Sequence, residues 1–87
     1  MSKDETLAPI APARLAQELT RLSAARASGE WDANEYEHRF ARMIGELRDR
    51  RIAGNRAEIL AAITPLKDDG TVTLTDWDRL VRSLGLV

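Results

Sequence analysis

Residues 28–37 read SGEWDANEYE, and residues 69–78 repeat their pattern as DGTVTLTDWD. In both segments a glycine is followed by a large apolar residue, a helix-capping residue, an acidic residue three positions later and then an aromatic residue. A glycine at the end of a helix favours a left-handed turn, and a capping residue with an acidic residue three positions on is typical of a helix start. Each segment is therefore predicted to connect two helices. We attribute the shared pattern to capping chemistry, and a duplicated helical hairpin is the alternative.

The helix that follows the first segment has the most complete start signal. Asp32 is predicted to cap this helix, Glu35 to complete a capping box, and Trp31 to pack on Tyr36 as a hydrophobic staple. The helix is expected to end near Gly54. Helical spacing predicts that its buried stripe consists of Phe40, Met43, Ile44 and Leu47.

Two later helices are predicted from similar signals. Asn55 and Glu58 form a second capping box, which opens a short helix that is expected to end before Pro65 because proline interrupts helical hydrogen bonding. The last helix is predicted to start after the cap Thr73 and to end at Gly85. Trp77 occupies the staple position of this helix and is expected to face the core together with Leu80 and Leu84.

The beginning of the chain sets the domain boundary. Residues 1–11 show no helical period and are predicted to form a flexible tail. Pro12 suits the first turn of a helix, where its missing N–H is harmless. Residues 12–87 are predicted to form a single all-α domain, a compact four-helix arrangement of two helix-turn-helix hairpins.

The composition excludes several classes of protein. The 87 residues are 44% hydrophobic and 31% charged and include no cysteine, which is typical of a globular domain without disulfides or a thiolate metal site. The sequence contains no long apolar run and no signal pattern, so we expect a cytoplasmic protein that does not enter a membrane. The net charge of −1 provides no overall attraction to nucleic acid or membranes.

Two stretches resemble known families. Residues 20–47 resemble SHOCT domains, which are short bacterial helical hairpins in which a turn glycine precedes an acidic-aromatic helix start. This resemblance implies a helical hairpin and transfers no catalytic residue. The second turn segment resembles the second half of an EF-hand calcium loop, with Gly70 at the sharp turn and Asp76 at the final acidic position. Pro65 and Lys67 stand at ligand positions of the first half, and calcium needs about six to eight oxygens, so no calcium site is predicted.

The residues that carry chemistry form no catalytic motif. His38 is the sole histidine, and together with Glu35 it has the Glu-x-x-His spacing of di-iron helical bundles. Such a site needs a second copy of the motif and further carboxylates, so we interpret this pair as part of a solvated helix face. No nucleophile elbow or phosphate-binding glycine loop is present. We therefore predict that the protein is not an enzyme, with no catalytic, cofactor-binding or metal-binding residue.

A band of arginines occupies the middle of the chain. Glutamates four positions away are expected to form ion pairs with three of them on one solvent-exposed helix face. These three are Arg39, Arg42 and Arg50. The remaining members of the band are Arg48, Arg51 and Arg56, and the helix dipole favours cations near the end of a helix.

The function is predicted by exclusion. We expect a small non-enzymatic protein–protein interaction or regulatory module, an adaptor or inhibitor of a larger complex, of bacterial or phage origin. The candidate partner-binding residues are Arg48, Arg51, Arg56 and Trp31. Helical spacing favours a core position for Trp31, which becomes a candidate anchor for a partner if it is exposed. The alternative is a helical nucleic-acid-binding protein that uses the basic band Arg48–Arg56, and a steep salt dependence of binding distinguishes it.

Overall fold

The computed structural model describes residues 8–86 and contains four α-helices in this range. They are α1 (Pro12–Ala27), α2 (Ala33–Arg50), α3 (Arg56–Asp68) and α4 (Leu74–Ser83). The prediction of an all-α, four-helix arrangement is confirmed. Helix α1 packs against α2 and α3, and α2 also packs against α4. The two hairpins are therefore in contact in two places, between α1 and α3 and between α2 and α4.

The predicted caps hold three of the four helix starts. The Asp32 carboxylate accepts a hydrogen bond from the Glu35 N–H at 2.8 Å, and the Thr73 hydroxyl accepts one from the N–H of Asp76 at 3.2 Å. At α3 the capping box is complete. The Asn55 side chain accepts a hydrogen bond from the Glu58 N–H, and the Glu58 carboxylate accepts one from the Asn55 N–H. These bonds satisfy N–H groups that have no partner inside a helix.

The two turn segments share one hydrogen-bond pattern. The Trp31 N–H donates to the carbonyl of Ala25 at 3.3 Å, and the Val72 N–H donates to the carbonyl of Leu66 at 3.0 Å. The glycine in each turn adopts a positive φ, 82° in the first turn and 83° in the second. The repeated sequence pattern therefore produces the same local structure twice, as both shared capping chemistry and duplication would.

Buried side chains from every helix form a common core. Trp31 and Trp77 were expected to lie in this core, but the structure places both at its edge, where they are only half-buried. The guanidinium of Arg39 lies 4.4 Å from the centre of the Trp31 ring, and the Lys67 ammonium lies 5.1 Å from the Trp77 ring. A cation over an indole face is favourable at a partly hydrated surface. The fully or nearly fully buried helical residues include Leu15, Leu19, Leu22, Phe40, Leu47, Ile59, Ile63, Leu80 and Val81.

Two helix ends differ from the predictions. Helix α3 continues through Pro65 to Asp68, where it had been expected to end earlier. Leu66 packs against the core, and the Asp69 N–H donates to the Pro65 carbonyl at 3.0 Å, so packing and terminal bonds support the turn that contains the proline. Helix α2 ends at Arg50 rather than near Gly54, because the next residue, Arg51, has a φ of 69°, which is outside helical geometry.

The domain begins before the predicted boundary at residue 12. Ile10 is buried and forms a parallel β-bridge with Ile52 in the link between the hairpins. The Ile10 N–H donates to the carbonyl of Arg51 at 3.0 Å, and the Ala53 N–H donates to the Ile10 carbonyl at 2.8 Å. Residues 8–11 are therefore part of the domain, while residues 1–7 of the predicted tail lie outside the described residues.

A buried hydrogen bond joins the second helices of the two hairpins. The Tyr36 hydroxyl donates to Oδ2 of Asp76 at 2.7 Å. Asp76 is 6% exposed, and Nη1 of Arg79 lies 3.6 Å from its other oxygen. Burial of the phenol and its bond to the carboxylate raise the pKa of Tyr36 above its ordinary value. This bond connects α4 to α2, as do the hydrogen bonds that Arg79 donates to the Glu37 carboxylate at 2.8 and 2.9 Å.

Candidate interaction surfaces

A groove between α1 and α2 exposes part of Trp31. Its volume is about 330 Å³, and we call it the Trp31 groove. The cap at Asp32 places Trp31 just before α2, so that the indole lies beside the facing surface of α1. The lining residues are Glu18, Arg21, Leu22, Trp31, Arg39, Arg42, Met43 and Glu46.

The Trp31 ring and Arg39 form a cation–π pair in this groove. The guanidinium carbon of Arg39 lies 4.4 Å from the ring centre, and its Nε donates to the Glu35 carboxylate at 2.7 Å. The i,i+4 ion pair that the sequence predicted therefore holds the arginine over the indole. One face of Trp31 is covered by a cation, and the indole is still only half-buried.

A second expected ion pair of the arginine band does not form. Among residues 8–86, no carboxylate oxygen lies within 4.0 Å of the Arg42 side chain, whereas Glu46 lies 3.9 Å from Arg50. An acidic residue that precedes its basic partner by four positions makes the better i,i+4 pair, which explains why Glu46 turns to Arg50. Arg42 therefore adds a positive charge to the rim of the Trp31 groove.

The second groove lies where the carboxyl-terminal ends of α2 and α4 meet the start of α3. Its volume is about 330 Å³, and we call it the Arg48–Arg51 groove. Apart from the two arginines and Ser83, its lining is apolar, with Leu47, Ile52, Ile59, Leu84 and Leu86. The structure thus brings together two of the candidate arginines. Arg56, the third, lies at the first position of α3 and does not line this groove, and Trp31 lies in the other groove.

The backbone at Arg51 has an unusual conformation. Its φ is 69° and its ψ is 164°, a combination that L-residues adopt only at a cost and that is nearly restricted to glycine. The Arg51 N–H donates to the Leu47 carbonyl at 2.8 Å, and its own carbonyl accepts the bond from Ile10. These two bonds hold the strained residue in place. The sequence offered no signal for this feature, because it depends on the pairing with a distant segment.

Metal ligation, membrane spanning and exposed apolar surface are three further properties of residues 8–86 that bear on function. Within residues 8–86, His, Asp and Glu side chains do not gather in groups of three or more that could hold a metal ion. Across the same range, each helix is too short or too polar to cross a membrane. Leu74 is 74% exposed, but a single exposed leucine is common on protein surfaces.

Comparison with known proteins adds no assignment. No family model matches this chain, and the searches of curated proteins and of solved structures found no match either.

Proposed function

We propose that this protein is a small, non-enzymatic protein-binding module and that the Trp31 groove receives an amphipathic helix of a partner protein. The observation that carries this proposal is the half-buried Trp31 with the Arg39 guanidinium 4.4 Å from its ring centre. Protein interfaces are enriched in tryptophan, methionine and arginine, and tryptophan and arginine are frequent among the residues that dominate binding energy. The Trp31 groove combines these residue types, because Met43, Arg21 and Arg42 line it together with Trp31.

The shape of the surface supports a helical ligand. A further cavity of about 210 Å³, lined by Ile10, Leu15 and Leu47, shares Met43 and both glutamates with the Trp31 groove. Together they form a path between α1 and α2 with both apolar and charged lining residues. Helix α2 has 18 residues, about 27 Å at 1.5 Å per residue, so a partner helix of about five turns can follow it. Such a helix would pack its apolar stripe on this path.

The charges at the rim indicate the character of the partner. Arg42 has no carboxylate within 4.0 Å among the described residues, and Arg21 shares Glu18 with Arg14 at distances of 3.8 and 3.9 Å. Acidic residues beside the apolar stripe of the partner would pair with these guanidiniums. An adaptor or an inhibitor of a larger complex works through such a surface. A cytoplasmic location and a bacterial or phage origin are part of this proposal.

A designed helical peptide tests the proposal. The probe is an amphipathic peptide as long as α2, with a leucine stripe flanked by glutamates, and its control carries lysines in place of the glutamates. Trp77→Phe leaves Trp31 as the only tryptophan reporter. We expect the acidic peptide to change Trp31 fluorescence, the lysine peptide to bind at least about tenfold more weakly, and Arg42→Glu to weaken binding by a similar factor. Arg56→Glu is the matched control and should bind normally, because Arg56 lines neither groove.

The alternative class of partner has its own signature. Equal binding of the two peptides, or an unchanged Trp31 signal, would contradict the proposal. Binding of single-stranded DNA that falls steeply with salt, and that is lost when Arg48, Arg51 and Arg56 are replaced by glutamine, would favour the nucleic-acid-binding hypothesis instead.

A further inference from the structure

The Arg48–Arg51 groove combines an apolar floor with unbalanced positive charge. Among residues 8–86, no carboxylate oxygen lies within 4.0 Å of either guanidinium, and the groove has no acidic lining residue in this range. The apolar contacts come from Ile52, Ile59 and Leu84, and the two arginines supply the only formal charges of the described lining. A ligand that matches this surface carries a negative charge directly beside an apolar group.

The size of the groove limits the length of that ligand. About 330 Å³ is near the lower end of the range of ligand sites, about 300–1,000 Å³. This space suits one or two side chains of a ligand. The carboxyl terminus of a polypeptide meets both requirements, because its α-carboxylate is attached to the same Cα as its last side chain. In an internal segment, by contrast, the carboxylate of an aspartate or glutamate and an apolar side chain belong to different residues.

The backbone at Arg51 gives an independent reason to regard this groove as a binding site. Strained residues persist where the surrounding structure enforces them, and they are concentrated at ligand sites. Here the bonds to Leu47 and Ile10 enforce a φ of 69°. The chain thereby turns sharply directly after α2, with Arg51 and Ile52 both in the groove lining. A glycine would adopt this conformation without strain but would provide no guanidinium.

We propose that the Arg48–Arg51 groove binds the carboxyl-terminal residues of a partner chain. The last apolar side chain packs on Ile52, Ile59 and Leu84, and the α-carboxylate accepts hydrogen bonds from Arg48 and Arg51. Arginine and carboxylate form short, charge-assisted bonds that are often bidentate, and capture of a chain terminus is a known mode of peptide recognition. This site is separate from the Trp31 groove, so it adds a second binding function to the one proposed above.

The test uses three fluorescently labelled peptides with wild-type protein. The first has the sequence Gly-Ser-Gly-Ser-Leu-Leu with a free carboxyl terminus, the second is the same peptide as a carboxyl-terminal amide, and the third ends in Ser-Ser with a free carboxyl terminus. We expect the first to bind at least about tenfold more tightly than each of the others in a polarisation titration. Equal binding of the free acid and the amide would overturn the proposal without any variant.

Variants then assign binding to this groove. Arg48→Gln and Arg51→Gln should each weaken binding of the free acid by about tenfold and leave binding of the amide unchanged, whereas Arg56→Gln should bind like wild type. A loss of binding in Arg56→Gln equal to that in Arg51→Gln would show non-specific attraction and overturn the assignment. Tighter binding of decanoate than of the peptide would also overturn it, in favour of a small amphiphile. Arg42→Glu is expected to leave this binding unchanged, so failure here and failure at the Trp31 groove are distinguishable.

Discussion

Replacement of Tyr36 by phenylalanine removes the hydroxyl that links α2 to α4 and little else. The phenyl ring can keep its stacked position against Phe40, whose ring centre lies 6.0 Å away. Asp76, which is 6% exposed, loses its donor at 2.7 Å and keeps the more distant Arg79. A hydrogen bond to a charged group contributes about 1.5–3 kcal/mol to stability, and we expect Tyr36→Phe to lower the free energy of unfolding by this amount.

Urea unfolding followed by far-UV circular dichroism measures the effect. Each kcal/mol corresponds to about 4–8 °C in Tm for a domain of this size, so thermal unfolding provides a second measurement. Thr20→Val is the matched control, because the Thr20 hydroxyl bonds to the carbonyl of Ala16 at 3.0 Å on an exposed surface. This control should change stability by no more than about 0.5 kcal/mol. A Tyr36→Phe variant as stable as wild type would refute the reasoning.

The same bond predicts a loss of stability in alkaline solution. The native pKa of Tyr36 is raised, first by burial and then by Asp76, so the unfolded chain releases the phenol proton at a lower pH than the native protein. The stability that the protonated Tyr36 contributes is fully present below about pH 10 and is lost as pH rises further. The free energy of unfolding then falls by up to about 1.4 kcal/mol per pH unit. Tyr36 is the only tyrosine, so Tyr36→Phe should lack this slope. If Tyr36→Phe lost stability with pH as steeply as wild type, groups other than Tyr36 would be responsible for the alkaline loss.

Four further changes test individual features. Arg51→Gly should raise stability by up to about 2 kcal/mol in urea unfolding, because relief of about 1–3 kcal/mol of strain exceeds the added flexibility of glycine; a destabilised variant would contradict the assigned strain. Trp31→Ala should cost about 1–2 kcal/mol, less than the about 3–5 kcal/mol of a fully buried tryptophan, and a larger loss would mean that Trp31 is a core residue. Asp32→Ala should lower the free energy of unfolding by about 1 kcal/mol through loss of the cap, and a variant as stable as wild type would show that the cap does not stabilise the protein. Calcium should leave Tm unchanged, since Pro65 and Lys67 have no side-chain oxygen to bind it; a rise of several degrees would reveal binding by mass action.

Local chemistry made most of the fold predictable. Asp32 and Thr73 marked helix starts because their side chains bond to N–H groups only three positions away, and spacing along α2 identified its buried stripe. The course of α3 through Pro65 depends instead on Leu66 packing against other helices. The attachment of Ile10 depends on a partner more than forty positions later, which local signals do not encode.

The candidate sites were predicted only as residue types. The sequence singled out Trp31 and the three arginines Arg48, Arg51 and Arg56, but their distribution between two surfaces follows from the packing of the helices. Trp31 was expected to be buried because staple positions usually are, whereas the structure leaves the indole half-buried with the Arg39 guanidinium over its ring. The apolar part of the Arg48–Arg51 groove combines residues of α2, of α3 and of the segments that follow α2 and α4, so no single helix predicts it.

The long-range bonds of this domain also bear on how fast it folds and unfolds. The Tyr36–Asp76 bond spans 40 positions and the bond from Arg50 to the Ala8 carbonyl spans 42, whereas each hairpin turn closes over a few residues. Short loops close at a smaller entropic cost and therefore earlier. If these long-range bonds form after the rate-limiting step, removing the Tyr36 hydroxyl will leave the refolding rate nearly unchanged and will accelerate unfolding. Bonds between the hairpins, such as Tyr36–Asp76 and Glu37–Arg79, would then contribute to the lifetime of the native state, and local turn formation to the speed at which that state is reached.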